Sequence, residues 1–378
     1  MVSMWWRKSG KAAWLMTSWI LEAFESARAC LCGHSQTLRP FPAEQPSTVS
    51  KRPPHLFIEI NKTQTKNHWT RNVRRTQWQT APRNNNHSRA NLTIPTTKMN
   101  LLTTLQFPIL LLVLWLFTSY MTRSFPTLTN KRICLLIAHP DDEAMFFGPT
   151  LLSLTRPDLG NTVVILCLSS GDADGLGHIR VDELRKSALL LGLRSAEHVV
   201  VVDDPAQFPD SMTAKWDAKL IAGMLMKYFA PKATSTPSTE APTAGVDVLI
   251  TFDTGGVSGH PNHISLYHGA KAFLETLMQR HRGWDSPTKL YTLRTTGTVR
   301  KYMSVFDSVV TVALSIGRRK EKGEFPTPLL TVSLPGGVFT AQRAMVTAHK
   351  SQMRWFRWGW IGLSRYMVIN DLAKQKGF

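Results

Sequence analysis

Four continuous apolar runs after residue 130 alternate with segments of helical periodicity, and this alternation constrains the fold more than any other feature of the sequence. The apolar runs are residues 132–138, 162–168, 198–202 and 246–252, and the helical segments are residues 144–154, 179–191, 212–229 and 262–277. Apolar runs without polar alternation are typical of strands buried on both faces. Strands that alternate with helices pair in parallel through right-handed crossovers. The sequence therefore predicts an α/β fold with a three-layer, Rossmann-like and mostly parallel sheet.

Positive charge is concentrated near the amino terminus of this 378-residue chain, whose formal net charge is +19. Residues 1–98 contain 15 basic and 4 acidic residues and show neither helical nor strand periodicity. We expect this leader to be disordered or, alternatively, not to belong to the native protein, because Met99 resembles a natural start. A basic chain can bind nucleic acid or an anionic membrane. The remaining residues are only mildly basic and contain no recognisable nucleic-acid-binding motif, so we expect no nucleic-acid partner.

Residues 99–122 form a run of 24 residues without a charged side chain, between Lys98 and Arg123. About 20 apolar residues suffice for a helix to cross a bilayer, and Trp115 and Tyr120 lie toward one end, as in the aromatic belts of membrane helices. We expect a single transmembrane helix, with a buried core helix as the alternative. The flanking basic residues balance if the leader is present; without it, the positive-inside rule places the following domain in the cytosol.

Two loops that follow apolar strands contain unusual concentrations of acidic residues and histidines. The first is AHPDDE, residues 138–143, and the second is TFDTGGVSGHPNH, residues 251–263. Ligands of open parallel sheets bind where loops leave the carboxyl ends of the strands. Glycines in the second loop permit tight turns, and the spacing of His260 and His263 places them on one face of a predicted helix start. We expect the two loops to converge.

His139, Asp142 and His263 match the three protein ligands of a catalytic zinc site, which keeps a fourth position for water. Asp141 and His260 then remain as unligated neighbours that can move protons. This set suits metal-assisted hydrolysis of an amide. Asp141 would accept the proton of water, and His260 would stabilise the oxyanion or protonate the departing amine.

Other interpretations of the two loops stay open at this point. Each loop alone could be a helix cap, because Asp accepts N–H bonds at helix N-termini. Two histidines and one carboxylate also bind non-haem iron, although the strand–helix alternation disfavours that class. Acidic pairs hold nucleotide-bound metals in glycosyltransferases, but the histidines would then have no role.

The two loops together resemble the PIG-L/LmbE-like zinc de-N-acetylases. The segments AHPDDEAMFFGPTL and TFDTGGVSGHPNHISLY carry the resemblance, which covers residues 132–372 and is closer to the eukaryotic branch than to bacterial metabolite deacetylases. The resemblance implies an LmbE-like fold, Zn²⁺ or another divalent metal at His139, Asp142 and His263, Asp141 as general base, and His260 as acid or oxyanion stabiliser. It also implies removal of acetate from GlcNAc-phosphatidylinositol, the second step of GPI-anchor synthesis, on the cytosolic face of the endoplasmic reticulum membrane.

The resemblance further implies substrate contacts by Arg180 and Glu183, for which a surface ion pair is the alternative. Glu143 either supports a metal ligand or is a favourable acid in a first helical turn. We expect the catalytic domain at residues 131–372. Its insert at residues 231–245 is rich in Pro, Ser and Thr and predicts a flexible surface loop.

Residues 353–367 interleave aromatic and basic side chains and predict contact with membrane headgroups, with packing against the protein core as the alternative. Beyond residue 290 the strand–helix alternation weakens, which indicates strands or a helix at the sheet edge. Two competing functions are a deacetylase of a soluble N-acetyl sugar and a non-catalytic, membrane-tethered subunit. The anchor and the aromatic tail oppose the first, and the intact ligand set opposes the second.

Overall fold

The computed structural model describes residues 101–233, 239–281, 283–316 and 323–376, without the side chains of residues 101–104. The predictions for residues 1–98, and for Met99 as the natural start, lie outside these residues. Part of the predicted surface insert, residues 234–238, lies outside them as well.

Seven strands in the described part of the chain form one mixed, mostly parallel sheet, which confirms the predicted fold class. The strands are β1 (Arg132–Ile137), β2 (Thr162–Cys167), β3 (Val199–Val201), β4 (Val248–Phe252), β5 (Lys289–Leu293), β6 (Leu329–Val332) and β7 (Ile369–Lys374). Their order is β3-β2-β1-β4-β5-β7-β6, and β7 runs antiparallel to both of its neighbours. The strands β1 to β6 therefore all end at the same edge of the sheet, and only β7 begins there.

Helices connect the strands and cover the sheet. They are α1 (Leu101–Thr122), α2 (Asp142–Met145), α3 (Gly148–Leu154), α4 (Gly177–Leu190), α5 (Ala218–Phe229), α6 (Gly256–Gly259), α7 (Pro261–Met278), α8 (Thr298–Lys301), α9 (Ser304–Ile316), α10 (Pro335–Arg343) and α11 (Trp355–Leu363). The chain moves outward from β1 to β3 and then returns to the other side of β1 with β4. Right-handed crossovers then place α2, α3 and α4 on one face of the sheet, and α5 and α7 on the opposite face.

Two helices differ from the sequence-based boundaries for identifiable reasons. The helix predicted at residues 144–154 is divided into α2 and α3, and Pro149 lies in the first turn of α3, where a proline without an N–H group is tolerated. The helix predicted at residues 212–229 begins only with α5, because the Asp217 side chain accepts the N–H of Lys219 and caps its start. The strands β1, β2 and β4 lie within the predicted runs.

The helix α1 precedes the sheet and is, among the described residues, the one helix that is long and apolar enough to cross a membrane, over residues 105–122. Its amino-terminal half exposes large apolar side chains such as Phe107, Ile109 and Val113. Its carboxyl-terminal half packs on the domain, where Trp115 is buried and donates a 2.7 Å hydrogen bond to the Ser333 carbonyl.

Candidate metal centre and active site

The two loops singled out by the sequence meet at the point where the sheet reverses its winding. The strands β1 and β4 are neighbours in the sheet, with Ile133 paired to Val248 and Leu135 to Ile250, yet their connections leave in opposite directions. Such a topological switch point opens a crevice at the carboxyl ends of the strands. Both loops leave from this edge, as predicted.

The first loop is held in shape by its own aspartate. The Oδ2 atom of Asp142 accepts the backbone N–H groups of Ala138 and His139, both at 3.0 Å. The preceding residue, Asp141, has a φ of 117°, a region in which a non-glycine residue is strained by about 1–3 kcal/mol. Strain of this kind concentrates at functional sites, where the surrounding structure holds it in place.

The second loop orients His263 through a close approach to Gly256. The Nδ1 atom of His263 lies 3.1 Å from the Gly256 carbonyl oxygen, which directs Nε2 into the crevice. Gly256 has a φ of 57°, and a Cβ atom there would lie 3.0 Å from the Cβ of His263, so a glycine is required. The imidazole also stacks on Phe252 at the end of β4, with 4.1 Å between the ring centroids.

The side chains of His139, Asp142 and His263 converge as a ligand set. Their ligand atoms all lie within 4.8 Å of one another, and all three residues are buried. Asp142 Oδ1 is 3.2 Å from His263 Nε2, but the Nε2 atoms of His139 and His263 make no hydrogen bond although both are buried. Buried nitrogens normally have a partner. Two such nitrogens beside a carboxylate oxygen match the donors that a divalent metal requires.

The electrostatics of this cluster favour an ionised Asp142 beside a neutral His139. Burial acts to lower the pKa of His263, but Asp142 outweighs it and the net shift is upward. Burial acts to raise the pKa of Asp142, but His263 and His139 together outweigh it and hold the pKa well below its usual range. Burial is also the main reason that the pKa of His139 is lowered. A deprotonated carboxylate and a neutral imidazole are the forms that bind metals.

His260 stands beside the ligand set and keeps one nitrogen for another task. Its ring centroid is 5.1 Å from that of His139 and 4.9 Å from that of His263. Its Nδ1 accepts the N–H of Asn262 and caps α7, which leaves the proton on Nε2. Burial, assisted by the two neighbouring histidines, lowers the pKa of His260 to about 4. A neutral imidazole with an Nε2–H group is a hydrogen-bond donor at neutral pH.

Asp210 is a member of the site that the sequence analysis missed. Its Oδ1 lies 3.3 Å from His139 Nε2, and it forms with His139 and His260 a second group of possible ligand atoms within 4.8 Å. Asp210 follows β3 in the chain. The strand-end rule that identified the other two loops would have selected Asp203 and Asp204, which lie nearer the end of β3, and no local signal distinguishes Asp210.

Arg180 and Glu183, the two predicted substrate contacts, lie in different surroundings, and their contact with substrate stays a prediction. Arg180 is buried beneath the first loop, where its guanidinium donates to the carbonyls of Gly171 at 2.6 Å and Pro140 at 2.8 Å and lies 3.2 Å from Asp210. Glu183 accepts the N–H and hydroxyl of Ser351 at 2.8 and 2.6 Å. Arg180 and Glu183 are both buried and do not form a surface ion pair with each other. Glu183 instead links α4 to the carboxyl-terminal segment.

Glu143 supports the first loop from beneath. Its Oε2 accepts the Asp141 N–H at 3.1 Å, while Oε1 is 2.6 Å from His349 Nε2 and also accepts the hydroxyl of Ser187. Glu143, His349 and Ser187 are completely buried. Burial acts to lower the pKa of His349, but the Glu143 carboxylate outweighs it and the net shift is upward. This buried cluster holds the backbone at the strained residue Asp141.

Arg357 reaches the site from α11, more than two hundred residues along the chain. Its guanidinium contacts the Asp141 carboxylate, and Arg180 lies 3.6 Å from the same oxygen. Two residues of the aromatic tail, Arg365 and Tyr366, are instead buried in the core. No local pattern distinguishes Arg357 from the neighbouring Arg354, which pairs with Asp174 at the surface.

Comparison with known proteins identifies the family. The profile of the PIG-L family, described as GlcNAc-PI de-N-acetylase, matches residues 134–274. An N-acetylglucosaminyl-phosphatidylinositol de-N-acetylase of Arthroderma benhamiae is 49% identical over 321 residues, covering 71% of this chain and 96% of the relative. The chain belongs to the PIG-L family.

Other matches are more distant. The Bos taurus protein with the same name is 33% identical, covering 69% of this chain and 92% of the relative. A solved structure, the N,N′-diacetylchitobiose deacetylase of Pyrococcus horikoshii, is 16% identical and aligns with a TM-score of 0.33 over 71% of this chain and 91% of its own. The PIG-L profile includes both loops of the candidate metal centre and ends before His349 and Arg357.

Proposed function

We propose that this protein hydrolyses the N-acetyl group of GlcNAc-phosphatidylinositol to give GlcN-phosphatidylinositol and acetate, the second step of GPI-anchor synthesis. The main support is the convergence of His139, Asp142 and His263 beside two proton-handling residues, Asp141 and His260. The names of the family relatives give the same activity and substrate for those proteins.

Zinc is the metal we propose for the three-residue set. Two buried imidazole nitrogens without hydrogen-bond partners and one carboxylate oxygen fit a catalytic zinc site, which leaves a further position for water. When bound there, zinc supplies a Lewis acid that acidifies water and polarises a carbonyl group.

Asp141 is the general base in this proposal. Its carboxylate adjoins the ligand set but is not needed as a ligand, and Arg180 and Arg357 fix its orientation. The attacking water adds its oxygen to the acetyl carbon and gives its proton to Asp141. When the carbon–nitrogen bond breaks, the same proton passes to the departing amine of the glucosamine.

His260 is the oxyanion donor. Because Nδ1 is occupied as an acceptor for Asn262 and the pKa is lowered to about 4, the ring is neutral and offers Nε2–H at neutral pH. A fixed donor aimed at the developing negative charge stabilises the transition state without reorganisation. The alternative role, protonation of the amine, is disfavoured because a neutral imidazole is a poor acid.

The anchor and the tail bring this chemistry to a lipid substrate. We propose that α1 spans the endoplasmic reticulum membrane once, with the catalytic domain at residues 131–372 in the cytosol. In the tail, residues 353–367, the exposed aromatic residues Trp355, Phe356 and Trp358 would contact the headgroup region.

An acetate-release assay tests the proposal. Purified full-length protein, loaded with zinc, is given GlcNAc-phosphatidylinositol in vesicles or soluble GlcNAc, and Asp141→Asn is the matched variant. We expect about one zinc per chain in both proteins, release of acetate from the lipid by the wild type, and none by the variant. Equal activity of the two proteins would contradict the mechanism, and a preference for soluble GlcNAc would contradict the substrate.

A further inference from the structure

The helix α9 has its polarity reversed relative to a helix at a water-exposed surface. Its buried face contains the polar residues Asp307, Ser308, Thr311 and Ser315, whereas its exposed residues include Phe306, Val310, Leu314 and Ile316. A helix at the surface of a water-soluble protein buries its apolar stripe and exposes its polar face. The reversed arrangement matches an environment in which the apolar medium lies outside the protein.

The polar groups on the inner face of α9 are neutralised by the domain. Asp307, the one charged residue of the helix, is completely buried and lies 2.6 Å from both Arg300 and Arg365. Thr311 accepts a 2.7 Å hydrogen bond from Arg300. The outer face therefore presents no charge to its surroundings.

The direction of α1 relates this surface to the active site. Trp115 is bonded to Ser333, which directly follows β6 and thus lies at the sheet edge that contains the site. Farther along the chain, Met121 packs against the cluster of Phe125, Val312, Leu330 and Ile369, and β1 then begins with Arg132 at the opposite edge of the sheet. The amino-terminal half of α1, which contacts α9 through Phe107 and Phe306, therefore extends outward beyond the edge on which the active site opens.

The length of the apolar run sets how far the domain must approach the bilayer. From residue 101 to Trp115 the helix rises about 21 Å, whereas the hydrocarbon region is about 30 Å thick. The run is bounded by Lys98 and Arg123, so it cannot shift toward the amino terminus. A spanning α1 has to bring part of its attached half into the apolar layer, and α9 lies against that half through Ser308 at 3.1 Å from Thr118.

We propose that the stripe formed by Val299 on α8, Tyr302 between the two helices, and Phe306 and Val310 on α9 inserts into the bilayer, so that the active-site edge faces the membrane surface. The stripe residues are exposed, Val299 by 78%. Both flanks of the site take part, since Lys301 donates to the Val257 carbonyl in the second loop while α11, with its exposed aromatic residues, contacts Asp141. The inference rests on the proposed membrane span of α1 but not on the proposed reaction.

Site-directed spin labelling tests this orientation. Val299 and Phe306 are replaced by cysteine, one at a time, in full-length protein. Cys30→Ser and Cys32→Ser remove two other labelling sites, and Cys134 and Cys167 are kept because they are buried. The labelled protein is reconstituted in phosphatidylcholine vesicles, and collision rates with oxygen and with a nickel chelate are measured. Val113→Cys reports the span itself, and Leu189→Cys, an exposed apolar position on α4, is the aqueous control.

We expect labels at positions 299, 306 and 113 to collide with oxygen and to be shielded from nickel, and the label at position 189 to collide with nickel. Nickel access at 299 and 306 with shielding at 113 overturns the orientation and leaves the span intact. Nickel access at all three overturns the span as well. Shielding of 299 and 306 from both reagents means that protein covers the stripe, which also overturns the proposal.

Discussion

The two loops of the candidate metal centre and the carboxyl-terminal segment build the same site by opposite means. The loops after β1 and β4 contribute His139, Asp142 and His263 from short, recognisable segments, and their backbones are shaped by local contacts. The carboxyl-terminal segment contributes two single side chains, His349 and Arg357. They contact Glu143 and Asp141, which are more than two hundred residues away in the sequence. The candidate metal ligands are therefore local in sequence, whereas the contacts that hold Asp141, the proposed base, are not.

The largest effect should follow removal of a ligand from the loops. His263→Ala deletes a buried metal donor, so we expect loss of bound zinc and a fall in deacetylation of at least about 10³-fold, because acidified water and a polarised carbonyl are lost together. Zinc content by mass spectrometry and acetate release measure the two effects. His260→Ala is the control in the same loop, with zinc retained and a fall of about 10²–10³-fold. If the His263→Ala protein retains zinc, His263 is not a metal ligand.

A smaller but still large effect should follow disruption of the buried support. His349→Ala leaves the Glu143 carboxylate buried without its partner, and breaking such a pair costs about 3–5 kcal/mol of unfolding free energy. Support residues of this kind typically change activity by about 10–100-fold. Denaturant unfolding and acetate release report the two changes. If the variant unfolds at the wild-type denaturant concentration, the buried cluster does not have the structural role assigned to it.

The smallest effect should separate two arginines of the same segment. Arg357→Ala removes a contact to Asp141, and we expect kcat to fall by about 10-fold with zinc content unchanged, in the range typical of positioning residues. Arg354→Ala removes an exposed ion pair with Asp174, and such pairs contribute about 0–1 kcal/mol. Equal kinetics for the two variants would mean that the contact with Asp141 does not position the base.

The sequence predicted those parts of the fold that depend on local pattern. The apolar runs that became β1, β2 and β4 are buried on both faces, and their pattern is sufficient to identify them. The boundaries of α3 and α5 depend on Pro149 and on the cap at Asp217, which periodicity alone does not reveal. The convergence of the two loops was predicted because both loops follow strand ends directly, and the metal-ligand roles of their residues stay a prediction.

The remaining site residues depend on tertiary contacts. Arg180 was predicted near the site but not as a brace for the Pro140 carbonyl, and Glu183 belongs to a contact with Ser351 instead. His349 precedes the aromatic tail and Arg357 lies within it. The aromatic pattern of the tail predicts contact with a membrane surface but does not predict which arginine turns inward. Only the packing of α11 and of the residues before it on the first loop brings them to Glu143 and Asp141.

X-ray absorption at the zinc edge of the zinc-loaded protein tests the central claim most directly, because it counts and identifies the atoms around the ion. The account predicts two imidazole nitrogens at about 2.0–2.1 Å together with oxygen ligands and no sulfur, and a single imidazole in His263→Ala if residual zinc is bound. A spectrum with sulfur ligands, or one unchanged by that substitution, would contradict it.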